Sequence, residues 1–275
     1  MGIHLPTTAR AAHAGMRLTV LGATGSMAVS RKGRESYGGA TSCYMVQAGE
    51  DCVFLDAGSG LLAAPLEFPK PPLILLSHLH LDHLLGLGMY RRLSQSGVKT
   101  RLCMPAEIAG IGLKTLNAIY SPPFWPVSLM SYRGELELVP ASFPMRCGEV
   151  YIESMPGNHP GGCLIFKLSS GGKSLVYMTD YEHTSAGFGK IVDFARGTDL
   201  LLYDGQYTQE EYRDKRGFGH STAEKGIELM ELTGAKRLLL IHHNSSSTDS
   251  ELLAREAALQ RDGVHFAREG EVVEL

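Results

Sequence analysis

The sequence has no CxxC pair: its five cysteines, Cys43, Cys52, Cys103, Cys147 and Cys163, stand singly. That excludes a cysteine-built zinc finger and argues against a disulfide framework. It suits a reducing compartment, with the thiols serving as small core residues. No run reaches the ~18 apolar residues of a membrane span. The opening MGIHLPTTARAAHAG lacks the apolar centre of a signal peptide. Residues 1–16 read as a flexible extension ahead of a single folded domain over 17–275, with the cytoplasm as the default location. Charge of one sign is also scarce, since a formal net charge of -3 gives no global pull toward nucleic acid or anionic membrane. Repeats, low-complexity blocks and Pro/Gly/Ser linkers are absent. With 44% hydrophobic residues the chain fits an ordinary globular protein.

What the sequence does hold is a series of short apolar runs: RLTVLG, SCYMVQAG, DCVFLDAG, PLILLSH, GCLIFKLSS, KSLVYMTD, DLLLYDG and KRLLLIHH. Most are continuously apolar rather than alternating, the signature of strands buried on both faces. Helical patterning falls at 81–97, at 221–234 with Ser or Thr as cap and Gly234 at the end, and at 249–263 with Asp249 or Ser250 as cap. Strands with helices between them predict an α/β layered architecture. Four strands finish on a ligand or base, in LLSH, YMTD, LLYD and LLIH, which would gather those side chains at a common edge.

The densest chemistry is LSHLHLDHLLGL, residues 76–87. Imidazoles and carboxylates cost several kcal/mol to bury without partners, and a metal ion is one candidate. Alternate residues of an extended stretch point the same way, so His78 and His80 can reach one ion. The chain then turns, and Asp82 and His83 can face a second. Oxygen and imidazole donors suit Zn, Mn or Fe rather than Ca or Mg.

HxHxDH after an apolar strand resembles the signature of the metallo-β-lactamase superfamily, and the resemblance runs over most of the chain from about residue 17. VFLDAGSG looks like that family's turn before the motif, with Asp56 in place. His159 in PGNHPGG, Asp180 in VYMTDYEH and His242 in LLLIHH follow in order. The resemblance implies an αββα sandwich of two mixed sheets flanked by helices. It implies that His78, His80 and His159 hold one metal, that Asp82, His83 and His242 hold the other, and that Asp180 bridges them. Two such ions, zinc first with manganese or iron as alternatives, would share a hydroxide and clamp attacking and leaving oxygens. No Ser or Cys nucleophile is then needed. Of the adjacent pair, His242 is preferred over His243 as ligand. His183 is assigned to surface or packing in preference to a substrate contact.

The stretch GFGHSTAEKG, 217–226, resembles the phosphodiesterase branch that holds ribonuclease Z and its small-substrate relatives. His220 matches the histidine thought to assist at the phosphate or leaving group. Asp204, in LLYDGQY, falls where that branch places an acidic partner. A carboxylate behind an imidazole fixes its tautomer, so His220 would be the general acid and Asp204 its support. With Asp82 they make up the expected catalytic residues. The tRNA-processing members carry a long arm between the equivalents of His159 and Asp180, whereas only 20 residues separate those two here. The expected substrate is therefore a small phosphodiester, such as a cyclic one, and not a large RNA. The resemblance also allows a homodimer. The alternatives are a lactone or thioester hydrolase of the same superfamily, or a metal-dependent sensor without turnover.

Two loops complete the reading. LGATGSMAVSRKGRESYGG lacks the ending of a P-loop and the spacing of GxGxxG, so it is expected to line the mouth of the site. Its basic residues Arg31, Lys32 and Arg34 are read as a solvated loop in preference to a phosphate site. YSPPFWPVS, 120–128, is expected to form a rigid wall or a dimer contact.

Overall fold

The computed structural model describes residues 15–105, 112–185 and 187–275; the extension expected over 1–16 lies almost wholly outside them. The first strand, β1, begins at Met16 (Met16–Gly22) and pairs antiparallel with β2 (Cys43–Ala48), which pairs antiparallel with β3 (Asp51–Leu55). From β3 the sheet continues in parallel through β4 (Leu73–Leu75), β5 (Lys99–Cys103) and β6 (Glu135–Val139). The last strand of the chain, β14 (Val272–Glu274), returns to the free edge of β1 and closes a seven-stranded sheet.

The second seven-stranded sheet repeats this plan, with order β13-β12-β11-β10-β9-β8-β7. Its antiparallel half is β7 (Met145–Cys147), β8 (Val150–Gly157), β9 (Cys163–Ser170) and β10 (Lys173–Met178). Its parallel half adds β11 (Leu200–Asp204), β12 (Leu238–Ile241) and β13 (Val264–Phe266). Both sheets are therefore mixed.

The continuous apolar strands follow from three packed layers of side chains. Leu18, Val20, Val46, Val53, Leu55, Leu73 and Leu75 meet Ile152, Leu168, Leu175, Leu202, Leu239 and Ile241 between the sheets. The intervening residues Met45, Phe54 and Ile74 pack outward under Leu84, Leu87, Tyr120 and Leu116 of helix α1 (Gly112–Ile119). On the far side, Val176, Met178, Leu201, Tyr203 and Leu238 pack under helices α2 (Phe188–Ala195), α4 (Ala223–Thr233) and α5 (Asp249–Leu259). A short helix α3 (Gln209–Asp214) lies between β11 and α4. Strands with both faces covered have no need of polar alternation. The result is the expected αββα sandwich, and all five cysteines are buried and free.

Three local expectations are corrected. The run 81–97 is not an α-helix but three 3-10 turns, Leu81–His83, Leu87–Met89 and Arg91–Ser94. Gly86 explains part of this: a Cβ there would lie 2.1 Å from the Gly58 carbonyl oxygen, so the chain is pressed against the β3 turn rather than coiled freely. Thr222 takes the expected cap position of α4, yet its side chain makes no capping hydrogen bond, while Gly234 does end the helix in the left-handed conformation. Thr248, not Asp249 or Ser250, caps α5 in a reciprocal box with Glu251; that helix stops at Leu259, where Gln260 turns left-handed, short of Gly263.

Candidate metal centre

The parallel strands of both sheets deliver their C-terminal ends to one place. Beyond β4 the chain bends at Ser77, passes through His78 to His80, where the backbone is extended, then tightens into the Leu81–His83 turn. Thus His78 and His80 lie with ring centroids 4.5 Å apart, while Asp82 and His83 swing to the other side. Asp180 follows β10 and His242 follows β12, each forced into left-handed backbone at φ 48° and 59°. Side chains with positive φ are strained, and such strain collects at functional sites. His159 arrives from the β8–β9 turn, Asp204 from the end of β11, and His220 from the loop before α4.

The donor atoms fall into groups within 4.8 Å of one another. His78, His80, His159 and Asp180 form one, and Asp82, His83, Asp180 and His242 form another. Asp180 belongs to both. A third group joins Asp204 and His220 to His242. All nine residues singled out from the sequence are therefore brought together, with only His80 among them exposed.

The residues fit metal ions in a testable way, through ring nitrogens that face the two donor groups. His83 gives Nδ1 to Asp56 Oδ2 at 2.7 Å, His159 gives Nδ1 to the Gly219 carbonyl at 2.9 Å, and His242 gives Nδ1 to Gln206 Oε1 at 2.8 Å. A neutral imidazole that donates from Nδ1 carries its lone pair on Nε2. His78 Nε2 and His83 Nε2 are buried and make no hydrogen bond. His80 Nδ1 and His159 Nε2 approach to 3.1 Å. Ring nitrogens gathered in one donor group, with His83, His159 and His242 fixed from behind at Nδ1, are what metal-ligating histidines require.

Electrostatics divides the two groups. Burial, reinforced by neighbouring rings against the pull of Asp180, pushes His78, His80 and His159 below the usual histidine value, so these rings are neutral. Burial opposes protonation of His83 and His242 as well. There, however, Asp180 and the other carboxylates prevail, lifting His83 well above the usual value and His242 to about 9. Asp82 and Asp180 stay ionised despite burial, held low by His83 and His242. A cation bound there would stabilise the same carboxylates and favour the neutral, ligating form of both imidazoles.

Four contacts behind the donor residues go beyond the sequence reading. Asp56 accepts from Ser77 N and Oγ, His83 Nδ1 and Tyr177 Oη. Gln206 orients His242, and its place two residues after Asp204 in LLYDGQY was the available signal. The third is the Gly219 carbonyl behind His159. The fourth is the Ser26 N–H, which donates to Asp82 Oδ2 at 2.8 Å and brings the first loop to the site as expected. In that loop Arg31 donates to carbonyls at 245–247 and buried Arg34 to Thr24 Oγ1, so both basic groups are engaged within the protein. His243 points away and packs between Tyr37 and Phe266, and burial lowers it to about 3. His183 lies edge-on to Phe188.

His220 is held differently from the other histidines. Asp204 Oδ1 accepts from Gln206 N and Ser221 N, which leaves Oδ2 to receive His220 Nδ1 at 2.8 Å. The His220 ring stacks on His242 with centroids 4.7 Å apart, and its Nδ1 is 3.9 Å from Asp180.

Comparison with known proteins follows the same lines. The family model described as "Beta-lactamase superfamily domain" matches residues 46–243. "Probable metallo-hydrolase YhfI" of Bacillus subtilis is 24% identical over 269 residues, covering 94% of this chain and 100% of that protein. Its crystal structure superposes with a TM-score of 0.74 at 22% identity, over 94% of this chain and 99% of the other. Ribonuclease Z of Ignicoccus hospitalis is 23% identical over 245 residues, 74% of this chain and 82% of that protein. A diphosphatase of the PhnP family shares the fold with a TM-score of 0.72 at 19% identity, over 94% and 98% of the two chains.

Proposed function

The chain belongs to the β-lactamase superfamily, and on that premise we propose that it is a two-metal phosphodiesterase acting on a small phosphodiester. His78, His80 and His159 would hold one ion, Asp82, His83 and His242 the other, with Asp180 between them. Bound there, the ions would supply Lewis acidity toward the phosphoryl oxygens and an activated water at neutral pH.

The protein's own groups set the direction of reaction. The observation that carries the proposal is the His220–Asp204 pair, 2.8 Å apart beside both donor groups. With Nδ1 bound to Asp204, His220 presents Nε2 to the substrate. A proton there passes to the departing alkoxide as the P–O bond breaks, and Asp204 stabilises the imidazolium before transfer. Asp82, oriented by the Ser26 N–H and facing His83 and His242, fixes the opposite side of the site. The chain between His159 and Asp180 is taken up by the β9–β10 hairpin and its Gly171–Gly172 turn, which leaves no length there for an RNA-gripping arm. That favours a small ligand over RNA.

The general-acid role has a specific test. A nitrophenolate leaves readily as an anion, whereas an alkoxide needs a proton. His220→Ala should therefore depress hydrolysis of a cyclic alkyl phosphodiester by roughly 10²–10⁴-fold and that of bis(p-nitrophenyl) phosphate far less, with bound metal unchanged. Equal losses on both substrates, or loss of metal, would remove His220 from this role. A purified, metal-loaded protein that opens lactones and leaves phosphodiesters intact would overturn the reaction class.

A further inference from the structure

The 217–219 stretch of the loop carrying His220 is gathered by a side chain outside the donor set, Glu182. Its carboxylate receives Gly217 N at 2.8 and 2.9 Å, Gly219 N at 3.0 Å, and Tyr212 Oη of α3 at 3.1 Å. Alternate backbone N–H groups converging on an anion form a small nest, which needs left-handed residues. Gly217 and Gly219 supply them at φ 84° and 89°.

At Gly219 no other residue fits, because a Cβ would lie 2.1 Å from His159 Nδ1. The same Gly219 presents its carbonyl to that nitrogen and its C-terminal peptide to His220. The backbone of Glu182 is fixed too: its N–H donates to the Asn158 carbonyl at 2.9 Å, and Asn158 Nδ2 returns a bond to the Glu182 carbonyl at 2.9 Å. Asn158 adjoins His159, and Glu182 stands two residues beyond Asp180. One buried residue thus touches the supports of His159 from both sides and the support of His220 from below.

We infer that Glu182 is a positioning residue that sets His159 and His220 in register with Asp180 by holding the 217–219 loop. The inference rests on the ligand role of His159 and the acid role of His220 proposed above. Glutamine at this position offers one acceptor oxygen where two are used, and it turns an NH₂ toward backbone N–H groups. Displacement of the loop would then release the partner of His159 Nδ1 and shift His220 together.

Zinc affinity by competition with a chromophoric chelator, kcat and KM on a phosphodiester, and melting temperature test this in Glu182→Gln and Glu182→Asp. Glu182→Gln is expected to weaken the zinc ion that His159 would help hold and to lower kcat, each by roughly 10–100-fold, with KM little changed. Glu182→Asp, which keeps the charge but shortens the reach, should fall between it and the parent. Unchanged zinc affinity and kcat in Glu182→Gln would overturn the inference. So would a melting collapse with equal loss of both ions in both variants, which would mark a general structural role. If the parent cleaves no phosphodiester, the proposed activity falls, yet the zinc comparison still decides the role of Glu182.

Discussion

Asp56 stands at φ 60° with no exposed surface, and its carboxylate is met by four donors from Ser77, His83 and Tyr177. The family resemblance placed it in the turn before the HxHxDH motif, and a small acidic residue tolerates the left-handed backbone found there. Its duty as the orienter of His83 was not legible, since Tyr177 lies 121 positions away. The candidate donors were reached by other routes: the apolar runs ending in LLSH, YMTD, LLYD and LLIH pointed to His78, Asp180, Asp204 and His242, and the family resemblance supplied the rest. Asp56→Asn replaces an acceptor oxygen by a donor that faces other donors. We expect zinc affinity to fall by roughly 10–100-fold and stability by about 1–3 kcal/mol, read by chelator competition and by denaturant unfolding of the metal-free protein. Unaltered zinc affinity would show that the His83 ring needs no orientation from behind.

Among the elements, strands were read more faithfully than helices. KSLVYMTD and KRLLLIHH became β10 and β12 because burial on both faces leaves a continuous apolar signature. LDHLLGLGMYRRLSQSG has helical spacing, yet its turns are set by contact with Ala57 and Gly58 and by the fixed Asp82 and His83. Tertiary constraint overrides local pattern there. The entry to β11 shows how charge ties elements together. Asp199 receives Lys236 Nζ at 2.7 Å and Ser174 N at 2.9 Å, linking the β9–β10 hairpin to β11 and β12. Burial alone would raise its pKa, but these bonds and the lysine charges hold it below the ordinary 3.8. A carboxyl with a depressed folded pKa contributes stability above its unfolded value and loses it as pH falls through the folded one. Lys236 is largely exposed, so the ion pair itself adds about 0–1 kcal/mol. Asp199→Asn should therefore melt lower than the parent at pH 7, with the gap closing in acid. A gap that stays constant with pH would assign the effect to packing.

At the scale of the whole molecule, two sheets of the same plan place the C-terminal ends of their parallel strands against each other, and the donors meet there. The fold was legible because its strand pattern and motif resembled a known family, and the family match over residues 46–243 agrees. Among the described residues no helix is long and apolar enough to cross a membrane. What the chain pattern could not convey was the layer behind the ligands, formed by Asp56, Glu182, Gln206 and a glycine carbonyl. These act through backbone geometry and distant partners rather than through a motif. The measurement that tests the account most directly is a titration of metal-free protein with zinc while following bis(p-nitrophenyl) phosphate hydrolysis. Turnover that rises to completion with the second equivalent and vanishes on chelation is the predicted result. Full turnover in the presence of chelator, or none with two ions bound, would contradict it.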